Sequence, residues 1–200
     1  MGILSPLRGR VWARGETPAS VLSVPNLISF VRILLTPGFV WLALANPEPG
    51  ALRTAAALLF AVLIATDFVD GWIARGRNLV TDLGKLVDPI ADKAITGSAF
   101  VVLSVLGELD WWITIVVLVR EVGITAYRLV VATEVVIAAD WAGKAKTMAQ
   151  GIALPLALIP FQAWVGEWGT WVCVVTMTIA VALTIYSGVE FVVQAVRSRR

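Results

Sequence analysis

The chain has 200 residues, 58% of them hydrophobic and 15% charged, with a formal net charge of +2. Soluble domains carry roughly a quarter charged residues, so this composition excludes an ordinary water-soluble fold, and its regular apolar runs exclude a disordered chain. Histidine is absent and Cys173 is the single cysteine; Ser-His and Cys-His catalysis, His-ligated zinc and an internal disulfide are therefore excluded, and any metal site must use oxygen ligands, which suit magnesium, calcium or manganese.

Residues 1–24 place Arg8, Arg10 and Arg14 among Leu, Val and Trp. They read as a juxtamembrane, interfacial segment or as a disordered tail. No cleavable signal peptide is expected, because the first apolar run starts late and no small-residue cleavage site follows it. Six long apolar runs come next: Leu27–Asn46, Ala51–Val69, Ile90–Leu106, Trp111–Val131, Gly151–Val165 and Trp171–Val193. A spanning helix needs about 20 mainly apolar residues. Four runs meet this, and the third and fifth require extension into their polar flanks. None alternates with period two, so helices are expected rather than barrel strands. The expected fold is all-α: a polytopic membrane protein with six transmembrane helices in one domain over residues 25–200.

Charge alternates along the chain. The first, third and fifth loops carry Glu48, Arg53, Glu108, Asp110 and Glu167. The second carries Arg75, Arg77 and Lys85, the fourth Lys144 and Lys146, and the C-terminus Arg197, Arg199 and Arg200. The positive-inside rule then places both termini and the second and fourth loops in the cytoplasm. Basic groups at membrane edges argue against nucleic-acid binding. Trp41, Trp111, Trp112, Trp164, Trp168 and Trp171 fall at or near span ends, as an aromatic belt does. Trp72 and Trp141 lie near the acidic region described next, with interface anchoring the default reading.

Carboxylates concentrate where they are costly. The second span ends in D-F-V-D-G-W-I-A-R, and the third opens with T-D-L-G-K-L-V-D-P-I-A-D-K. In helices, Asp67, Asp70, Gly71 and Ala74 form one stripe, and Gly84, Asp88 and Asp92 form another. The short connection makes the helices antiparallel neighbours, so the two stripes would face each other at the cytoplasmic rim. Four carboxylates so close need protons or cations, and one or two divalent metals are the simpler answer. Gly71, Ala74 and Gly84 leave room for a ligand against the backbone, and Arg75 is placed to meet phosphate. Pro89 is expected near the helix start, where its missing donor is tolerated. The structural alternative is helix packing by the small residues and capping by the aspartates. Asp82, with Thr81 as competitor, reads as such a cap. The cost of four clustered carboxylates favours function.

The array D-x2-D-G-x2-A-R-x8-G-x3-D-x3-D resembles the signature of the CDP-alcohol phosphatidyltransferase family, whose six-helix plan covers nearly all of the chain. The resemblance implies a homodimer with an active site open to the cytoplasm. Asp67, Asp70 and Asp88 would hold two magnesium or manganese ions, and Asp92, in the same metal-facing set, would be the general base. Asp67, Asp70, Gly71, Ala74, Arg75 and Gly84 would bind CDP, with Arg75 on its phosphates. Phosphoryl chemistry needs neutralised charge and oriented reactants, and an acceptor hydroxyl benefits from a nearby base.

A second constellation concerns the acceptor. R-E-V-G-I-T-A-Y-R holds Arg120, Glu121, Thr125 and Arg128, and W-A-G-K-A-K-T-M-A-Q holds Lys144, Lys146, Thr147 and Gln150. Arg120, near mid-span, should pair with neighbouring carboxylates. Arg120, Arg128, Lys144 and Lys146 would suit an acceptor phosphate, although snorkelling and topology also account for the lysines. Within the family, these stretches and P-N-L-I-S-F-V-R, with Asn26 and Arg32, look like members that join glycerol 3-phosphate to the phosphatidyl group of CDP-diacylglycerol. Inositol phosphate or phosphatidylglycerol are the alternative acceptors. A prenyltransferase would not need the A-R-x8-G element. A cation transporter would place its carboxylates at the midplane, with an inverted repeat. The resemblance and the chain's size place the protein in a bacterial cytoplasmic membrane.

Overall fold

A computed structural model describes residues 24–45, 47–48, 50–77, 82–131 and 141–197; the side chains at 24–26, 67–77, 82–86, 128–131 and 162–163 lie outside that description. The described residues form α1 (Val24–Ala45), α2 (Ala51–Arg77), α3 (Asp82–Val105), α4 (Trp111–Val131), α5 (Trp141–Leu158), the short α6 (Phe161–Val165) and α7 (Glu167–Arg197). No strand occurs among them, so the all-α expectation holds. Two helical stretches, Leu27–Ala45 and Glu167–Arg197, are long and apolar enough to cross a membrane. The expected segment 1–24 lies outside the described residues but for Val24.

α2 continues beyond Val69 to Arg77, and α3 begins at Asp82, so both acidic stretches are helical, as their stripes and the extension of the third run require. The helices correct the sequence reading in two places. First, Pro89 is inside α3, seven residues past Asp82, and not at its start. It supplies no N–H, which leaves the carbonyl of Lys85 without its intrahelical donor. Second, the fifth run is not one helix. α5 ends at Leu158 and α6 begins at Phe161, because Pro160 cannot continue the hydrogen-bond ladder and disfavours a helical conformation at Ile159. Gly166 then turns the chain from α6 into α7 with φ +68°.

The chain divides into two compact units, each best described by itself. The first contains residues 1–39 and 59–95. In it α1 buries Ser29, Arg32, Thr36 and Phe39, positions three or four apart along one helical face. Phe39 meets Phe60 of α2, with ring centroids 5.3 Å apart, and Ser29 meets α3 at Asp88. Leu63, Ala91 and Ile95 are buried with them.

The second unit contains residues 40–58 and 96–200. α7 is its spine and packs on α5, α4 and α6. From Met177 onward the buried residues of α7 (Met177, Ala180, Thr184, Ser187, Phe191 and Ala195) recur every three or four positions, which makes one continuous seam. On α5 the facing seam runs through Ala142, Lys146, Gln150, Ala153, Leu154 and Leu158, and Gln150 Nε2 donates to Thr184 Oγ1 at 2.9 Å. The α3–α4 turn closes with the amide of Glu108 on the Leu103 carbonyl at 2.9 Å and that of Gly107 on Ser104 at 3.1 Å. Gly107 has φ +74°, the left-handed residue this helix ending requires.

Arg53 looks like a loop charge in the sequence but sits in the first turn of α2, 3% exposed. Its Nε donates to the Leu158 carbonyl at 2.9 Å, and its Nη2 pairs with Glu108 at 2.5 Å. It therefore satisfies an orphan carbonyl at the end of α5 and ties it to the α3–α4 turn. The Glu108 side chain is 45% exposed, so water can solvate it if the pair breaks. Arg53→Met should cost about 1–3 kcal/mol, chiefly from the unsatisfied buried carbonyl, and Glu108→Gln about 0–1 kcal/mol. Thermal unfolding of both variants in one detergent checks the order; equal losses would place the stabilisation in the ion pair instead.

Candidate active site

The acidic array lies within the first unit, on the last turns of α2 and the first turns of α3. Both stretches have helical backbone. Their spacing therefore holds Asp67, Asp70, Gly71 and Ala74 in register on one face of α2, with Gly84, Asp88 and Asp92 in register on one face of α3. The side chains of Asp67, Asp70, Ala74 and Arg75, and the expected cap at Asp82, lie outside the described residues, as do the surroundings of Gly71 and Gly84.

Asp88 and Asp92 are described and half-buried. Ser29, 1% exposed, donates its hydroxyl proton to Asp88 Oδ1 at 2.5 Å across 59 residues of chain. Such short O–H···O⁻ bonds are charge-assisted and stronger than neutral ones. Asp92 Oδ2 lies 3.1 Å from Lys93 Nζ, with both side chains about a quarter exposed. Among the described side chains no group of three acidic or thiol ligands gathers; two of the four expected carboxylates, Asp67 and Asp70, are not among them. The donor set is all oxygen in a chain without histidine, which fits a hard divalent cation.

The basic constellation belongs to the second unit. Its centre is Glu121 on α4, 4% exposed. Glu121 Oε1 pairs with Arg120 Nη1 at 3.0 Å and, more closely still, with Lys146 Nζ from α5. Arg120 Nη2 also donates to Ser187 Oγ of α7 at 2.8 Å. Gly188 makes room for this: a Cβ there would stand 3.0 Å from Arg120 Cγ. The expected pairing of Arg120 with a nearby carboxylate is thus present, and its partner is the adjacent residue. Lys146 is buried at 2%, whereas Lys144 is exposed. The side chain of Arg128 lies outside the described residues.

Two participants escaped sequence reading. Ser29 was quoted only as part of P-N-L-I-S-F-V-R; its signal is that Ser29, Arg32 and Thr36 put three polar groups at helical spacing inside an apolar run, a pattern that is costly in a membrane helix unless the groups have partners. Ser187 sits in the last apolar run three positions after Thr184, a weaker form of the same signal.

The family model for CDP-alcohol phosphatidyltransferases matches residues 22–186. The chain belongs to the CDP-alcohol phosphatidyltransferase family. It is 39% identical over 181 residues to the probable phosphatidylglycerophosphate synthase of Mycobacterium tuberculosis (strain H37Rv), covering 90% of this chain and 84% of that one. The CDP-diacylglycerol–glycerol-3-phosphate 3-phosphatidyltransferase of Bacillus subtilis (strain 168) is 37% identical over 190 residues, 86% of this chain and 94% of its own. The Escherichia coli (strain K12) protein of the same name is 33% identical over 175 residues, 84% and 92%.

In this phosphatidyltransferase Glu121 neutralises two cations at once. Glu121→Gln removes the carboxylate charge that Arg120 and Lys146 share, at a cost of about 3–5 kcal/mol. Adding Lys146→Met should recover part of that loss, because residues in one ionic network are not additive. Thermal unfolding of the two variants is the check; a double variant less stable than Glu121→Gln would mean that Lys146 contributes more through its other contacts than through Glu121.

Proposed function

We propose that this chain transfers the phosphatidyl group of CDP-diacylglycerol to glycerol 3-phosphate, giving phosphatidylglycerol phosphate and CMP. The observation that carries the reading is its similarity, over more than four-fifths of both chains, to relatives named for that reaction. The acidic helix ends and the basic network supply the matching chemistry, one for a cation and a diphosphate, the other for an anionic acceptor.

Divalent-metal dependence is general in the family. Asp67, Asp70 and Asp88 are the proposed ligands of two magnesium or manganese ions, with Asp92 beside them. Divalent ions held there would supply positive charge against the phosphoryl oxygens and the departing CMP. Asp67, Asp70, Gly71, Ala74, Arg75 and Gly84 hold the CDP group, with the Arg75 guanidinium on its phosphates. Asp92 takes the proton of the acceptor hydroxyl as that oxygen bonds to the lipid-linked phosphorus and the bond to CMP breaks. Arg120, Arg128, Lys144 and Lys146 are the groups proposed for the acceptor phosphate. Lys144, exposed on the first turn of α5, reaches it at least cost in disrupted structure.

The same reading sets the protein in the bacterial cytoplasmic membrane as a homodimer, with six spans in one domain over residues 25–200 and both termini and the active site on the cytoplasmic side. Supporting it, Trp41, Trp111, Trp112, Trp164, Trp168 and Trp171 are all exposed, as are Val172, Val175, Ile179, Val189 and Val193 along α7. Exposed apolar faces of this extent suit lipid contact.

CMP release by the purified protein from CDP-diacylglycerol should require both glycerol 3-phosphate and a divalent cation, each omitted in turn. Turnover of inositol phosphate but not glycerol 3-phosphate would contradict the acceptor. Asp92→Asn should lower kcat by about 100-fold or more, in the range of lost general-base catalysis. A near-wild-type rate would remove Asp92 from that role.

A further inference from the structure

Resting on the proposed role of Asp88 as a metal ligand, we infer that Ser29 of α1 is a positioning residue that fixes the Asp88 carboxylate for cation binding. Three observations carry it. The bond joins two helices 59 residues apart in sequence, so it is not a local helix-end contact. Ser29 is 1% exposed, so its hydroxyl has exchanged water for a protein partner, and leaving a buried hydroxyl unbonded costs free energy. And this bond reaches an oxygen of a carboxylate in the acidic array, whereas the Thr36 hydroxyl returns to the Arg32 carbonyl of its own helix at 2.8 Å.

The chemical consequence follows from the inventory of donors. A carboxylate has a soft terminal torsion and can present either oxygen to a cation. The Ser29 proton engages Oδ1 and so stops that rotation, leaving Oδ2 for the metal. Outer-shell hydrogen bonds of this kind orient ligating carboxylates, and their loss typically costs about 10–100-fold in metal affinity. α1 lies outside the acidic motif, so the inference extends the site to a third helix.

The test is Mn2+ binding to the purified full-length chain, read from the EPR signal of free Mn2+ with no substrate present. Ser29→Ala should weaken binding about 10–100-fold, and Ser29→Thr, which keeps the hydroxyl, should restore most of it. Thr36→Val removes a buried hydroxyl from the same face of α1 without touching Asp88, and should bind as wild type does. Asp88→Asn should abolish the site. If Ser29→Ala does not fold, Ser29→Thr and Ser29→Cys, which differ in the donor strength of the γ atom, make the same comparison: weaker Mn2+ binding in the Cys variant supports the inference, and equal binding overturns it. Wild-type affinity in Ser29→Ala alongside loss in Asp88→Asn overturns the role of Ser29 and leaves the metal reading standing. Wild-type affinity in Asp88→Asn overturns the metal reading itself.

Discussion

A charge in an apolar helical protein needs a partner, and this requirement organises the described structure. The low dielectric that stabilises α1 and α7 penalises any carboxylate or guanidinium left unmatched. Arg53 has Glu108 and the end of α5. Glu121 has Arg120 and Lys146. Asp92 has Lys93. Asp88 differs in kind: among the described side chains its contact is the neutral hydroxyl of Ser29, which orients a carboxylate without cancelling its charge. A hydroxyl that orients a carboxylate and leaves its charge in place is the kind of outer contact a cation site uses.

The ionic network of the second unit does structural work that bears on chemistry. Glu121 holds α4 against α5 through Lys146, and Arg120 extends the link to Ser187 of α7. The closeness of Gly188 to Arg120 fixes where the guanidinium can lie. Two of the four residues proposed for the acceptor phosphate are therefore already parts of the scaffold. Their contacts with Glu121 and Ser187 hold them in place, which favours preorganised anion binding, and their substitution disturbs packing as well as charge.

Much of this was legible in the letters. The apolar runs located α1, α2, α4 and α7 to within a few residues at most of their ends, because a continuous run of spanning length leaves the backbone little choice but helix. The acidic motif named its family, because eight specified residues at fixed gaps carry far more information than any single glycine or aspartate. Hydropathy stops at Val69 and resumes at Ile90, but the three-and-four spacing of the acidic motif carried both helices through the gap, and they do run on through Asp67–Arg75 and Asp82–Asp92. Pro89 was misplaced, because it lies inside α3 and not near its start. The single fifth run hid a break at Pro160, where composition stays apolar and only the backbone changes. Ser29–Asp88 and Arg53–Leu158 are tertiary pairings between distant helices, which periodicity in one helix cannot encode.

If Asp67, Asp70 and Asp88 converge on divalent cations, anomalous diffraction from crystals of the protein grown with Mn2+ should show peaks at coordination distance from all three carboxylates, with Ser29 bonded to the Asp88 oxygen that does not face the ion. Carboxylates of α2 and α3 that point apart, or that are paired with lysine or arginine with no anomalous peak between them, would contradict it.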